Sequence, residues 1–320
     1  MPAVDMPLNE LKTYTGSSPC PDDIDAFWDK ALDEMRGVDA DVEIFPSSFT
    51  SPIADAFHIY FTGVGDARIH AKLLKPKNLQ SKAPAIIQFH GYSCSSGDWS
   101  NLLQFVASGF VVAALDCRGQ GGKSRDNGGV GINTLEGHII RGVDDGPEHL
   151  LFRKIFLDTA QLTYLVMDMN DVDETRVGCL GGSQGGALTL ACASLVPEVK
   201  QAASIFPFLS DYRRVWDMDL AKSAYREIKQ YFRRYDPAHE RADEFFMKLG
   251  YIDIQNLAHR IQSKVLMFTG LNDEVCPASS QFAVYNKITA EKDMVVYPDF
   301  GHEETPGRND KIYQFMLGLK

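Results

Sequence analysis

The sequence predicts an α/β fold, a mostly parallel sheet with helices on both faces. Six short apolar runs, at residues 84–89, 110–115, 177–180, 202–206, 265–269 and 294–297, are separated by stretches of helical spacing. That alternation is the pattern of parallel strands buried on both sides. Gly181-Gly182-Ser183-Gln184-Gly185 lies between the run at 177–180 and a helix-like run at 187–195, the strand-turn-helix context that a G-x-S-x-G nucleophile elbow requires. The chain, at 320 residues with 44% hydrophobic and 23% charged residues, is long enough to bury a large core and has an ordinary globular composition.

Each element has its own local signal. Ile24, Phe27, Trp28, Ala31, Leu32 and Met35 recur at helical spacing, with Pro21 near the start and Gly37 just past the end. This predicts a helix that lays one face on the body within an N-terminal extension, residues 1–50. Residues 56–62 and 69–74 read as a hairpin around Gly63-Val64-Gly65-Asp66. Residues 207–263 change character: helical blocks at 217–235 and 237–249 carry charge and aromatic rings, with no apolar strand between them. They read as a helical insertion over the sheet that lacks a core of its own, within a single domain spanning 1–320. Insertions at the carboxyl ends of parallel strands are where α/β sheets build sites.

Charge and cysteine usage exclude several function classes. A net charge of −11 and a pI near 5.2 disfavour nucleic acid as a partner, because phosphate neutralisation needs clustered Lys and Arg. The basic doublets Arg213-Arg214 and Arg233-Arg234 read as helix faces or ion-pair partners. The opening Met1-Pro2-Ala3-Val4-Asp5-Met6 lacks the features of a secretory signal, and no apolar run approaches the length of a membrane span. A cytoplasmic protein is expected. Cys20, Cys94, Cys117, Cys179, Cys192 and Cys276 are scattered without a C-x-x-C pair, which suits free thiols rather than a disulfide framework or a zinc site. His302-Glu303-Glu304 is not H-E-x-x-H, so no metal is expected.

A serine hydroxyl needs a base within reach, and the base needs a carboxylate to fix its tautomer. In the elbow fold the chain order is Ser, acid, His. Asp273 follows the run at 265–269 and precedes the last strand, and His302 follows that strand; it is the only histidine beyond the acid. Asp273 alone would also suit a turn. Ser183, Asp273 and His302 are thus the candidate nucleophile, orienting acid and base. The oxyanion donors are assigned to the N–H groups of Gln184, which follows the nucleophile, and Tyr92, which follows the strand ending in His90-Gly91. His90 is read as shaping that loop. His58 and His70 are read as partly exposed strand residues, and His138, His149, His239 and His259 as surface or hydrogen-bonding groups. Asp116-Cys117-Arg118-Gly119-Gln120-Gly121-Gly122 misses the nucleotide-binding spacing, and Arg118 reads as an anchor near the floor of the site. Asp171, Asp173 and Glu174 read as a solvated helix-to-strand loop.

Assembled, these residues resemble carbohydrate esterase family 7, the acetyl xylan esterase and cephalosporin C deacetylase group. Arg118-Gly119-Gln120-Gly121, Gly181-Gly182-Ser183-Gln184-Gly185-Gly186 and His302-Glu303 carry the match. It extends through Phe27-Trp28, His90-Gly91-Tyr92, Pro207-Phe208-Leu209-Ser210-Asp211 and Tyr231-Phe232-Arg233-Arg234. The resemblance implies an α/β-hydrolase that removes acetyl groups from small substrates, notably xylo-oligosaccharides and cephalosporin C, with no cofactor. Carried over position by position, it gives Ser183, Asp273 and His302 the triad roles and the Tyr92 and Gln184 amides the oxyanion hole. It also implies a homo-oligomer, often a hexamer with inward-facing sites. The segment from Lys123 to Gly146 departs from the family pattern, which bears on substrate preference. Another serine esterase or a peptidase of the same fold, with a different acyl preference, is the alternative.

Overall fold

A computed structural model describes residues 4–128 and 138–320. Met1, Pro2 and Ala3, and residues 129–137 of the divergent segment, lie outside the described residues. In chain order the strands are β1 (Glu43–Pro46), β2 (Ala54–Gly63), β3 (Ala67–Pro76), β4 (Ala83–Phe89), β5 (Val111–Asp116), β6 (Val172–Gly182), β7 (Gln201–Ile205), β8 (Lys264–Gly270) and β9 (Lys292–Tyr297). They form one sheet in the order β1-β2-β3-β5-β4-β6-β7-β8-β9. β1 to β3 run as an antiparallel meander that joins β5 antiparallel, and from β5 to β9 every neighbouring pair is parallel.

The helices are α1 (Leu8–Leu11), α2 (Ile24–Arg36), α3 (Leu103–Ala107), α4 (Leu151–Met167), α5 (Gln184–Leu195), α6 (Tyr212–Asp217), α7 (Arg226–Tyr235), α8 (Ala242–Gly250), α9 (Ala278–Lys287) and α10 (Arg308–Met316). All six residues of β5 are buried, which is why that strand reads as a continuous apolar run. α5 is buried on every side and, beyond Gln184 at its start, is apolar or small all round, as suits a helix enclosed by other elements. In the hairpin, Gly63 pairs with Ala67, leaving Val64, Gly65 and Asp66 as the turn. Gly65 and Asp66 take positive φ there, +74° and +58°, the region that glycine and aspartate tolerate best.

Two buried contacts are among those that fasten the N-terminal segment. Trp28 of α2 stacks on Phe156 of α4, and its indole N–H donates to the Tyr251 carbonyl at 2.9 Å. The buried carboxylate of Asp211 accepts the Tyr14 hydroxyl at 2.8 Å and the amides of Ser17 and Ser18 at 3.0 and 2.8 Å. The hydrogen bonds of both anchors join residues nearly two hundred or more positions apart.

Four details differ from the sequence reading. β1 went unread because its four residues, Glu43 to Pro46, are all exposed and carry no burial pattern. The helical block at 217–235 is not continuous: α6 ends at Asp217, Asp219 and Ser223 take positive φ, and α7 starts only at Arg226. Its rings, with Phe232 4.8 Å from Trp216 and 5.0 Å from Phe245, continue into the large core beneath α4 and α5. β6 begins at Val172, so Asp173 and Glu174 lie within a strand rather than before it. His70 is wholly buried, because its imidazole is bonded to Asp116 at 2.6 Å and to His58 at 2.8 Å. His58 stays partly exposed.

Candidate active site

Ser183 joins β6 to α5 with φ +56° and ψ −118°, a conformation disfavoured for any side chain with a Cβ. The surroundings enforce it. The Ser183 N–H bonds the Ile205 carbonyl at 2.8 Å, and its own carbonyl accepts Ala187 and Phe208 at 3.1 Å each. The flanking glycines are steric necessities. A Cβ on Gly185 would overlap the Phe89 carbonyl, and one on Gly181 would lie 2.5 Å from the Gly185 carbonyl. The elbow can close against β4 only without those side chains.

Asp273 lies three residues beyond β8 and is buried. Its Oδ1 accepts the amides of Val275 and Cys276, each at 2.8 Å, and its Oδ2 faces His302 Nδ1 at 2.8 Å. An imidazole that donates from Nδ1 keeps Nε2 as its acceptor. His302 is half-buried, and it lines with Ser183 a cavity of 420 Å³ whose other walls, among the described residues, are Tyr92, Ser223, Ala224, Glu227 and Val275. The structure thus brings Ser183, Asp273 and His302 together at the carboxyl ends of the parallel strands.

Tyr92 follows β4 and lines the cavity with Ser183, and Gln184 opens α5. A residue the sequence reading noted only as part of a motif ties them. The Gln120 side chain accepts the Ser93 amide at 3.0 Å and exchanges hydrogen bonds with the buried Gln184 side chain at 2.8 and 3.0 Å. Next to it, Arg118 is fully buried and grips Asp158 of α4 with two bonds, 2.7 and 2.6 Å, while donating to the Val64 carbonyl at 2.8 Å. The partner of Arg118, unreadable in the sequence, is therefore a carboxylate forty residues on. His90 accepts the Cys117 amide at 3.0 Å on Nε2 and meets the Gly91 carbonyl with Nδ1 at 2.7 Å. Burial holds its pKa below the ordinary imidazole value.

Cys276 was missed. Its thiol is buried against the triad and is pushed well above its ordinary value, first by burial and then by the charge of Asp273, with a hydrogen bond from Ser183 opposing both. The signal was its position three residues past Asp273, hidden among six scattered cysteines. Asp273, Cys276 and His302 offer three ligand-type atoms within 4.8 Å of one another, a set whose softness would suit a thiophilic divalent ion. Two of those residues are already bonded to each other by the acid–imidazole contact. Glu227 was also missed, since nothing in a charged helical block singles out one carboxylate.

A family model described as acetyl xylan esterase (AXE1) matches residues 1–319. The chain belongs to the acetyl xylan esterase family. Among solved structures, acetyl xylan esterase 1 from Thermoanaerobacterium sp. JW/SL YS485 superposes with a TM-score of 0.97 at 59% identity, covering 98% of this chain and 99% of that one. The acetyl xylan esterase from Paenibacillus sp. R4 gives 0.94 at 32% identity with the same coverage. A curated relative, acetyl esterase Axe7A of Xylanibacter ruminicola, is 29% identical over 318 residues, which is 97% of this chain and 68% of that protein. The fold is that of the α/β-hydrolases, and the protein is a carboxylic ester hydrolase of the serine esterase type that removes acetyl groups. Among the described residues no helix is long and apolar enough to cross a membrane.

Proposed function

We propose that Ser183 is the nucleophile, His302 the general base and Asp273 the acid that orients it. His302 Nε2 takes the hydroxyl proton as Ser183 Oγ attacks the acetyl carbonyl, and the Gln184 and Tyr92 amides receive the developing oxyanion. When the intermediate collapses, the leaving alcohol takes the proton from His302. Water then attacks the acetyl-enzyme with the same base, releasing acetate and restoring Ser183. One observation carries this reading: the imidazole bonded to Asp273 lines the same 420 Å³ cavity as the elbow serine.

The modest cavity over Ser183 favours small acyl groups. Acetylated xylo-oligosaccharides are the substrate class, with cephalosporin C-type acetates a second one. The protein acts as a homo-oligomer, a hexamer by family likeness. Within a single hydrolase domain, the 207–263 insertion supplies part of the cavity wall, as Ser223, Ala224 and Glu227 do. Six cysteines without a disulfide suit a reducing, cytoplasmic setting.

Hydrolysis of p-nitrophenyl acetate by wild type and Ser183→Ala tests the assignment. The variant is expected to lose about 10⁴-fold or more in kcat, with loss of fluorophosphonate labelling; comparable rates would refute it. In an ester series from acetate to butyrate, kcat/KM should fall with chain length. Light scattering on the purified protein tests the oligomer.

A further inference from the structure

The break between α6 and α7 shapes the active site. α6 ends at Asp217 and α7 starts at Arg226, and the turn between them carries two residues in the left-handed region, Asp219 at φ +53° and Ser223 at φ +48°. A serine is disfavoured there, and such a conformation persists only where the surroundings impose it. Here they do. The Ser223 carbonyl accepts the Arg226 amide, and the Lys222 carbonyl accepts the Tyr225 amide at 2.9 Å. The buried Tyr225 ring packs edge-on against that of Phe208, with 4.4 Å between centroids. The Phe208 amide in turn donates to the Ser183 carbonyl at 3.1 Å. The turn is thereby braced against the nucleophile elbow itself, and it sets Ser223 in the wall of the 420 Å³ cavity.

Ser223 is exposed, and its hydroxyl has no hydrogen-bond partner among the described residues. Of its neighbours in the wall, Ala224 and Val275 have apolar side chains, and Glu227 is tied to the Ile139 amide. A hydroxyl both donates and accepts, so it can meet a second hydroxyl in either sense. We propose that Ser223 is a specificity-determining residue: its hydroxyl bonds the sugar hydroxyl beside the esterified one, and so favours acetates of carbohydrate diols over acetates of alcohols without that neighbour. A backbone already forced into place presents the hydroxyl to substrate with little further ordering. Cephalosporin C-type acetates, whose ester sits on an isolated CH₂ group, are still accepted but gain nothing from it. The inference rests on the esterase reading of Ser183, since it concerns which esters that hydroxyl attacks best.

The test compares methyl 2-O-acetyl-β-D-xylopyranoside with its 3-deoxy analogue, with kcat/KM measured on the whole protein. Wild type is expected to favour the hydroxylated member by about three- to tenfold beyond their ratio in alkaline hydrolysis, the worth of one neutral hydrogen bond. Ser223→Ala and Ser223→Gly both remove the hydroxyl, but only glycine suits the left-handed backbone. Both variants should therefore lose the preference to the same extent. Oxyanion stabilisation and any folding defect act on both esters alike and cancel in the ratio. A ratio that neither variant changes, a preference lost in Ser223→Ala but kept in Ser223→Gly, or equal handling of both esters by wild type overturns the inference while leaving the esterase reading intact. Failure of wild type to hydrolyse either ester, or to be labelled by a fluorophosphonate, defeats the esterase reading instead.

Discussion

Two buried carboxylates at the carboxyl ends of parallel strands have nearly the same surroundings and different consequences. Asp273, beyond β8, accepts two backbone amides and an imidazole at 2.8 Å. Asp116, the last residue of β5, accepts the Ser96 and Lys123 amides at 2.7 and 2.9 Å and an imidazole at 2.6 Å. What differs is the setting of each ring. His302 lines the cavity shared with Ser183, whereas the far nitrogen of His70 is taken by His58 at 2.8 Å, whose ring meets that of Trp99 edge to face. An acid–imidazole contact is therefore not by itself a sign of catalysis. The surroundings of the ring separate the two: His302 lines a cavity with the elbow serine, whereas His70 is closed off by a second imidazole.

The comparison is sharpened most by removing each acid's charge. Asp273→Asn should lower kcat on p-nitrophenyl acetate by about 10⁴-fold with little change in thermal stability, because the ring loses its tautomer control while the packing stays. Asp116→Asn should do the reverse. It leaves a buried imidazole and an amide poorly paired, a loss of about 3 kcal/mol in denaturant unfolding, with a rate loss under about a hundredfold because it only loosens the loop after Tyr92. If the two variants gave the same profile, the distinction drawn from the surroundings of the ring would fail.

Asp116 also has an expected pH signature. Burial opposes the charge of Asp116, but the His70 hydrogen bond and the Lys123 and Ser96 amides overcome it and hold the carboxyl well below the usual range. A depressed folded-state value gives stability that is fully present above the unfolded carboxyl range and is lost as pH falls through it. The stability gap between wild type and Asp116→Asn should thus be constant near neutrality and shrink below about pH 4. A gap that widens on acidification would contradict the assignment. The smallest effect is expected at Gln120, which touches neither acid but joins the loop after Tyr92 to Gln184. Gln120→Ala should lower kcat by about tenfold and leave KM nearly unchanged, the mark of an interaction felt in the transition state.

Much of this could be read along the chain because its constraints are local. The β2–β3 hairpin, the six apolar runs and the amphipathic helix containing Trp28 follow from periodicity and turn residues, whose causes lie within a few positions. Where the signal was not local, the reading erred. β1 has no burial pattern to betray it, and the break between α6 and α7 comes from positive-φ residues, aspartate and serine, that are not glycines. His70 looked like half of an alternating strand, yet Asp116 and His58 enclose it.

By itself the sequence determined the elbow, since no residue with a Cβ fits at Gly181 or Gly185, and it determined the order in which serine, acid and histidine appear. Only the tertiary structure decided which of the two acid–imidazole pairs shares a cavity with Ser183, that Cys276 lies against that site, and that Glu227 enters its wall from a distant helix. The physical reason is one of range. Backbone sterics and side-chain periodicity act between neighbours in the chain, whereas a hydrogen bond spanning 29, 46 or 88 residues exists only after packing has brought its ends together.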